Sequence, residues 1–360
     1  MKVAGKMDVA YTYPGSGQNN GRISAMVDNV LSETVTYQYD QLNRLTRATS
    51  GSSWDLEFLY DSFGNRTEQK ILAGTGPSTP ILSFYQTNNK ISTPGYAHDA
   101  NGNLTNIAGF SGSTAQTLDY DPANRLNTWK WNNGSPTEYS YDSGNKRIRK
   151  CTLCDQPNKD EEFYLYGISG ELLGAYELVA TGATYKFGRR WNNVYFGGRL
   201  IYAQDKWVIT DRLGSVRWRE GAGAIGYYPY GQVRTGSANV QNGYGTYFRD
   251  GSGNLDYADR RYYGSTHARF LTPDPYQGSE GPSEPGSWNR FAYVMADPVN
   301  SVDPSGLCAS GAEYPIAYCS TFDLAWLGLM TERRILEMEA NPQDQWDIAW
   351  RQLRESSLLH

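Results

Sequence analysis

Three Asp-Pro dipeptides lie close together near the end of the chain: Asp274 in "FLTPDP", Asp297 in "MADPVN" and Asp303 in "VDPSGL". A carboxylate at such a place can do two different things. It can cap backbone amides at a turn, the commoner use of Asp-Pro-x-Gly, or it can join a second carboxylate in acid–base chemistry. "DPSG" fits a type I turn, with Pro at the second place and Gly at the fourth, and such a turn folds the Asp303 carboxylate back toward Leu307. Pattern alone leaves both uses open. The other reactive types offer less. His98, His267 and His360 are scattered, without a companion ligand at metal spacing. "CTLC" brings Cys151 and Cys154 together as a single CxxC; a zinc site needs four ligands, so a loop staple or free thiols are the leading readings. Cys308 and Cys319 complete a set too small for a disulfide framework in a chain of 360 residues. No GxSxG elbow, phosphate-cradling glycine loop or HExxH occurs, and neither a metal nor a cofactor is implied.

The elements that must hold these residues are strands. Tyr occurs 28 times and Gly 38 times, with 39% hydrophobic residues, a composition that favours strands cut by tight turns. A repeat runs through the first half. Tyr-Asp units stand at Asp40 ("YQYDQLNRL"), Asp61 ("FLYDSFGNR"), Asp99 ("YAHDANGNL"), Asp121 ("LDYDPANRL") and Asp142 ("YSYDSGNKRI"), and "FYQTNNKI" carries Gln86 in place of the aspartate. The turn text alternates between an Asn-basic form (Asn43, Asn89, Asn124) and a Gly-Asn form (Gly64, Gly102, Gly144). Each unit reads as strand, turn, strand: large side chains alternate onto one face, the Asp accepts amides in an Asx-type turn, and Gly or Asn supplies the positive-φ position. Stacked units make a long antiparallel sheet with a tyrosine stripe.

From about Phe163 the repeat gives way to related strand-length runs cut by Gly, Pro, Asn and Asp. After Leu307 the character changes. "STFDLAWLGLMTERRILEMEA" reads as a helix and "NPQDQWDIAWRQLRE" as another, with Asn341 as N-cap and Trp346, Ala349, Trp350 and Leu353 on one face. With 33 basic and 38 acidic residues and a formal charge of −5, the body offers no broad positive field for nucleic acid. No window is apolar enough to span a membrane, and the N-terminus shows no signal peptide.

The Tyr-Asp units resemble the YD repeats of the Rhs family, and "TDRLGSVR", "YYPYG", "LDYADRRYY", "ARFLTPDP" and "NRFAYVMADPVNSVDPSGL" look like the RHS repeat-associated core domain. The resemblance runs from about Tyr37 to Leu307. It implies a mainly β chain: an antiparallel YD-repeat sheet over 1–162, curling into a partial barrel or cocoon-like shell, a core domain over 163–307, and a variable, helical C-terminal segment over 308–360 at the toxin position. It also implies an aspartyl self-cleavage in which Asp274 and Asp303 act on the bond between Leu307 and Cys308. Two carboxylates held close cannot both ionise cheaply, so one can activate water while the other donates a proton. The partners implied are the chain's own C-terminal segment as cargo, the N-terminal remainder of a larger shell, a secretion-system spike and an immunity protein. The location implied is secreted or cell-surface, cytoplasmic before export. The rival reading is a non-catalytic surface protein whose tyrosines bind carbohydrate and whose aspartates only turn the chain.

Overall fold

The computed structural model describes all residues except 110–113, 133, 157–158, 169, 182–183, 237–240, 251–254, 276–287, 308–309 and 312–360. The two helices expected after Leu307, with Asn341 and Trp346, lie outside the described residues.

Among the described residues the regular structure is almost wholly antiparallel β. A seven-stranded meander runs from Lys2–Val3 to Arg66–Gly74, and a nine-stranded meander from Ala97–His98 to Thr184–Asn192. The second meander passes residues 162 and 163 without a break. A five-stranded sheet over Val194–Ala224 and a four-stranded sheet over Phe248–Phe270 follow. Among the described residues no sheet closes into a barrel: each keeps two edge strands.

The repeats explain why the two meanders form. At five turns the preceding tyrosine reaches back with its hydroxyl to a carbonyl at the start of the previous unit. Tyr39 donates to Ile23 at 3.0 Å, Tyr60 to Leu45 at 2.6 Å, Tyr120 to Leu104 at 3.0 Å, Tyr141 to Leu126 at 2.8 Å and Tyr166 to Arg147 at 2.8 Å. The ring fills the core while the hydroxyl satisfies a backbone acceptor, so phenylalanine could pack there but would leave that carbonyl without its donor.

The four-stranded sheet is a plug with both faces covered. Along Arg261–Gly264, Tyr263 enters the core of the seven-stranded sheet with Phe58, Leu45 and Tyr230, whereas Tyr262 enters that of the nine-stranded sheet with Leu118, Trp129 and Tyr164. The alternation repeats at Tyr247 and Phe248, at Ala258 and Tyr257, and at Phe270 and Leu271. A period of two with apolar residues turned to both faces is what a strand buried on both faces requires. Two buried ion pairs anchor the plug. Arg147 from the nine-stranded sheet, 1% exposed, meets Asp250 of the plug within a cage of Tyr139, Tyr164, Tyr257 and Phe248 rings. Arg249 makes a two-nitrogen pair with Asp256 at 2.7 and 2.8 Å.

Candidate functional site

The repeat aspartates do what an Asx-type turn asks of them. One carboxylate oxygen accepts the amides two and four residues on: Leu42 and Arg44 at Asp40, Phe63 and Asn65 at Asp61, and Ala123 and Arg125 at Asp121. At Asp99 and Asp142 the fourth-residue amides of Asn103 and Lys146 donate at 2.8 Å. The third residue after the aspartate has positive φ: Asn43 +61°, Gly64 +77°, Gly102 +95°, Asn124 +60° and Asn145 +63°. The fifth unit therefore turns on Asn145 rather than Gly144. Its text is of the Asn-basic kind, and the strict alternation ends there. The unit without an aspartate also turns, around Tyr85: Asn88 caps Lys90 at 3.1 Å, and Asn89 takes the positive φ at +56°.

The same build recurs where the repeat had seemed to fade. Asp211 accepts Leu213 and Ser215 amides at 3.0 Å, and Gly214 has φ +86°. "DPSGL" is a further copy. Asp303 Oδ1 accepts the Leu307 amide at 3.0 Å, the Gly306 amide reaches the Asp303 carbonyl at 3.4 Å, and Gly306 has φ +72°. A Cβ on Gly306 would sit 2.7 Å from the Ala258 carbonyl oxygen, so only glycine fits. The spacing from an aspartate to a Gly or Asn three residues later was the legible signal for both copies.

Asp274 and Asp303, far apart along the chain, meet at one cation. Arg261 Nη2 lies 3.6 Å from Asp274 Oδ2 and 3.6 Å from Asp303 Oδ2, and the Arg261 and Asp303 side chains are each 5% exposed. Arg261 stands at the start of the plug strand Arg261–Gly264, its guanidinium 3.7 Å from the Phe270 ring centroid. It also donates from Nε to the Gly306 carbonyl and from Nη1 to the Arg290 carbonyl at 3.0 Å. The expected aspartate pair had no arginine assigned to it. Nothing in the local text of Arg261 marks it, because the contact depends on how the plug hairpin folds against the chain end. The Asp303 carbonyl accepts the Tyr247 hydroxyl at 2.6 Å. Asp274 is held by its main chain: its amide donates to Arg290 O at 2.8 Å, and Arg290 Nε donates to Asp274 O at 2.8 Å. Arg290 thus pinches the neck of the long segment between them. Beyond the turn, Ser301–Val302 pairs with Ser310–Gly311, so "DPSGL" lies in a hairpin loop. Leu307 is described, and Cys308 lies outside the described residues.

The third Asp-Pro takes no part. Asp297 is buried against Arg22 at 2.8 Å and accepts the Asn300 side chain at 2.7 Å; burial outweighs both and raises its carboxyl to about 6. Cys151 and Cys154 form a disulfide with Cα atoms 5.6 Å apart, a staple at the end of the strand Arg147–Thr152. His267 is buried with its ring 3.1 Å from the Tyr96 hydroxyl, and His98 packs edge-on to Phe291. Burial first, then nearby cations (Arg66 and Arg269 for His267, Arg269 and Lys90 for His98), lower His267 to about 3 and His98 to about 4. Among the described residues no cluster of His, Cys, Asp or Glu could hold a metal, and no helix is long and apolar enough to cross a membrane.

No family model matches the chain. In sequence it is similar to the tRNA3(Ser)-specific nuclease WapA of Bacillus spizizenii, 29% identical over 288 residues that cover 74% of this chain and 12% of that protein. In fold it is similar to the crystal structure of TcdB2-TccC3-Cdc42, with a TM-score of 0.62, 19% identity, and 84% of this chain and 17% of that one covered. It is also similar to the Tc holotoxin pore of Photorhabdus luminescens, with a TM-score of 0.60, 19% identity, and 87% and 17% covered. These are likenesses to toxin-related proteins. At that coarse level they agree with the Rhs resemblance. The chain spans about an eighth of the length of the curated relative it matches.

Proposed function

We propose that this chain is part of an Rhs-type shell whose plug cuts the polypeptide between Leu307 and Cys308, separating residues 308–360 as cargo. The observation that carries this reading is the shared arginine: Asp274 and Asp303 each lie 3.6 Å from Arg261 Nη2, while Asp303 Oδ1 holds the Leu307 amide. One cation stands against two carboxylates, so the second ionisation works against the first and the pair titrates as a unit. In the half-protonated state the ionised member takes a proton from water and the other donates to the Leu307 carbonyl. Water oxygen bonds to the carbonyl carbon, the bond to the Cys308 nitrogen breaks, and that nitrogen takes up a proton. The products are a carboxylate at Leu307 and an amine at Cys308.

The division of the chain at 162/163 and 307/308, the curling of the meanders into a shell around cargo, and secretion or surface display belong to the same proposal. So do a longer N-terminal remainder, a secretion-system spike and an immunity protein as partners. Transfer RNA cleavage, the activity named for the WapA relative, gives the first assay for residues 308–360. Intact mass of the purified chain tests the cleavage: two pieces meeting at Leu307–Cys308 are expected, and a single uncut piece from Asp303→Asn or Asp274→Asn. An uncut wild-type chain supports instead the non-catalytic YD-repeat surface protein that binds carbohydrate. That second reading draws on the likeness of "DPSGL" to the purely structural repeat turns.

A further inference from the structure

We propose that Arg290 and Tyr247 are positioning residues of the cleavage site, each fixing the main chain beneath one of its two carboxylates; this rests on the cleavage reading above. Arg290 closes a ring around Asp274. Its carbonyl accepts both the Asp274 amide at 2.8 Å and Arg261 Nη1 at 3.0 Å, and its guanidinium donates back to the Asp274 carbonyl at 2.8 Å. One residue therefore sets the first aspartate and the shared arginine relative to each other. Tyr247 does the equivalent for the second aspartate through the 2.6 Å bond from its hydroxyl to the Asp303 carbonyl. Its ring is 1% exposed and packs against Tyr263 and Tyr293, with centroids 5.8 and 6.3 Å away, which leaves the hydroxyl little freedom.

Main-chain anchoring matters here because the contacts of both carboxylates with their shared cation are long. Both stand 3.6 Å from Arg261 Nη2, outside good hydrogen-bond distance, so a displacement of about 1 Å decides whether the cation serves two acids or one. Side-chain attraction alone would let the arginine settle on one partner. With two acids coupled through it, cleavage requires one proton on the pair and is lost on both sides of a pH optimum. With either acid displaced, the remaining carboxylate titrates alone and one arm of the profile disappears.

The test is a time course of cleavage on the full chain, refolded from denaturant and read by intact mass across the acid-to-neutral range, for wild type, Asp303→Asn, Arg290→Lys and Tyr247→Phe. Melting temperature is followed in parallel. Arg290→Lys keeps the charge and loses the two-sided reach; Tyr247→Phe loses one oxygen and serves alone if the lysine variant does not fold. Slowing by about ten- to hundredfold is expected, with one arm of the pH profile lost and melting close to wild type. Wild-type rates in both variants overturn the positioning role. Slowing with an unchanged pH profile and lowered melting also overturns it, since that is a structural defect only. If the wild-type chain stays as intact as Asp303→Asn at every pH, the cleavage reading itself fails and the positioning role with it.

Discussion

The turns at Asp121 and Asp303 share one plan and differ in where their positive charge comes from. Both have Pro at the second place, a positive-φ residue at the fourth and a carboxylate capping the fifth amide, at 3.0 Å in each. In the repeat turn the fifth residue is also the cation: Arg125 Nε donates to Asp121 Oδ2 at 2.6 Å, and the two side chains are 25% and 20% exposed. Asp40 and Arg44 repeat that arrangement at 2.7 Å. In the last turn the fifth residue is Leu307, and the cation is Arg261, shared with a second acid; the Arg261 and Asp303 side chains are each 5% exposed and that of Asp274 14%. A turn that balances its own charge is architecture. In the last turn the cation comes from another strand and is shared, and the cleavage proposed above depends on that sharing.

The comparison breaks most visibly if the lent cation is removed. Arg261→Met should remove the cation that Asp274 and Asp303 share and the Arg261 donor to the Gly306 carbonyl. The expected loss is about 3–5 kcal/mol, the usual penalty for stripping one partner from a buried ion cluster, measured by urea unfolding. Arg44→Met in a repeat turn should cost no more than about 1 kcal/mol, because its pair is partly solvated. Equal losses would mean that the two turns are electrostatically alike.

Giving the last turn its own cation sharpens the contrast. Leu307→Arg recreates the Asp121–Arg125 arrangement and should draw Asp303 away from Arg261. Cleavage should slow by about ten- to hundredfold, with folding retained. A wild-type rate by intact mass would show that the sharing of Arg261 is irrelevant.

Acid separates the two regions next. His267, in the plug, is held near 3 by burial and by Arg66 and Arg269, against an ordinary value of 6.5. Between those values the unfolded chain binds a proton that the folded plug refuses. Stability is therefore full above 6.5 and falls as pH drops through the window, at up to about 1.4 kcal/mol per pH unit. His98 adds in the same direction. Asp297 opposes them: its raised value means that protonation below about 6 favours the folded state. Urea midpoints against pH should fall in acid for the wild type and flatten in His267→Gln; parallel curves would contradict the buried neutral imidazole.

Much of this was legible because it is local. The Tyr-Asp text carries its own turn chemistry within five residues, so strand, turn and tyrosine stripe can be read from Asp40 to Asp142 without knowing the fold. The pairing of Asp274 with Asp303 was reachable only through family resemblance, since no periodicity connects them. Arg261 was not legible at all. It reads as one of several arginines in "ADRRYY", and its role arises when a strand buried on both faces delivers its first residue to the chain end. Arg290 escaped for a similar reason, since its contact is with the backbone of Asp274 and leaves no mark on side-chain spacing. The frame of the fifth repeat was misread because Gly144 looks like the turn glycine, whereas the Asx geometry counts three residues from Asp142 and lands on Asn145.

The smallest effect should come from the repeat turn itself. Asp121→Asn keeps an oxygen that can accept the Ala123 and Arg125 amides, so the turn survives. What is lost is the 2.6 Å ion pair to Arg125, which also reaches the Asp142 carbonyl at 3.2 Å and Asn145 at 3.0 Å. Freed from its carboxylate, the guanidinium keeps those two acceptors and remains in contact with the Tyr141 ring, 5.1 Å to the centroid. The expected loss is therefore only about 0.5–1 kcal/mol, with cleavage unchanged. Asp303→Asn also preserves a capping oxygen, yet it should abolish cleavage. If both substitutions leave the cut intact, or both remove it, the shared turn plan has no functional division within it.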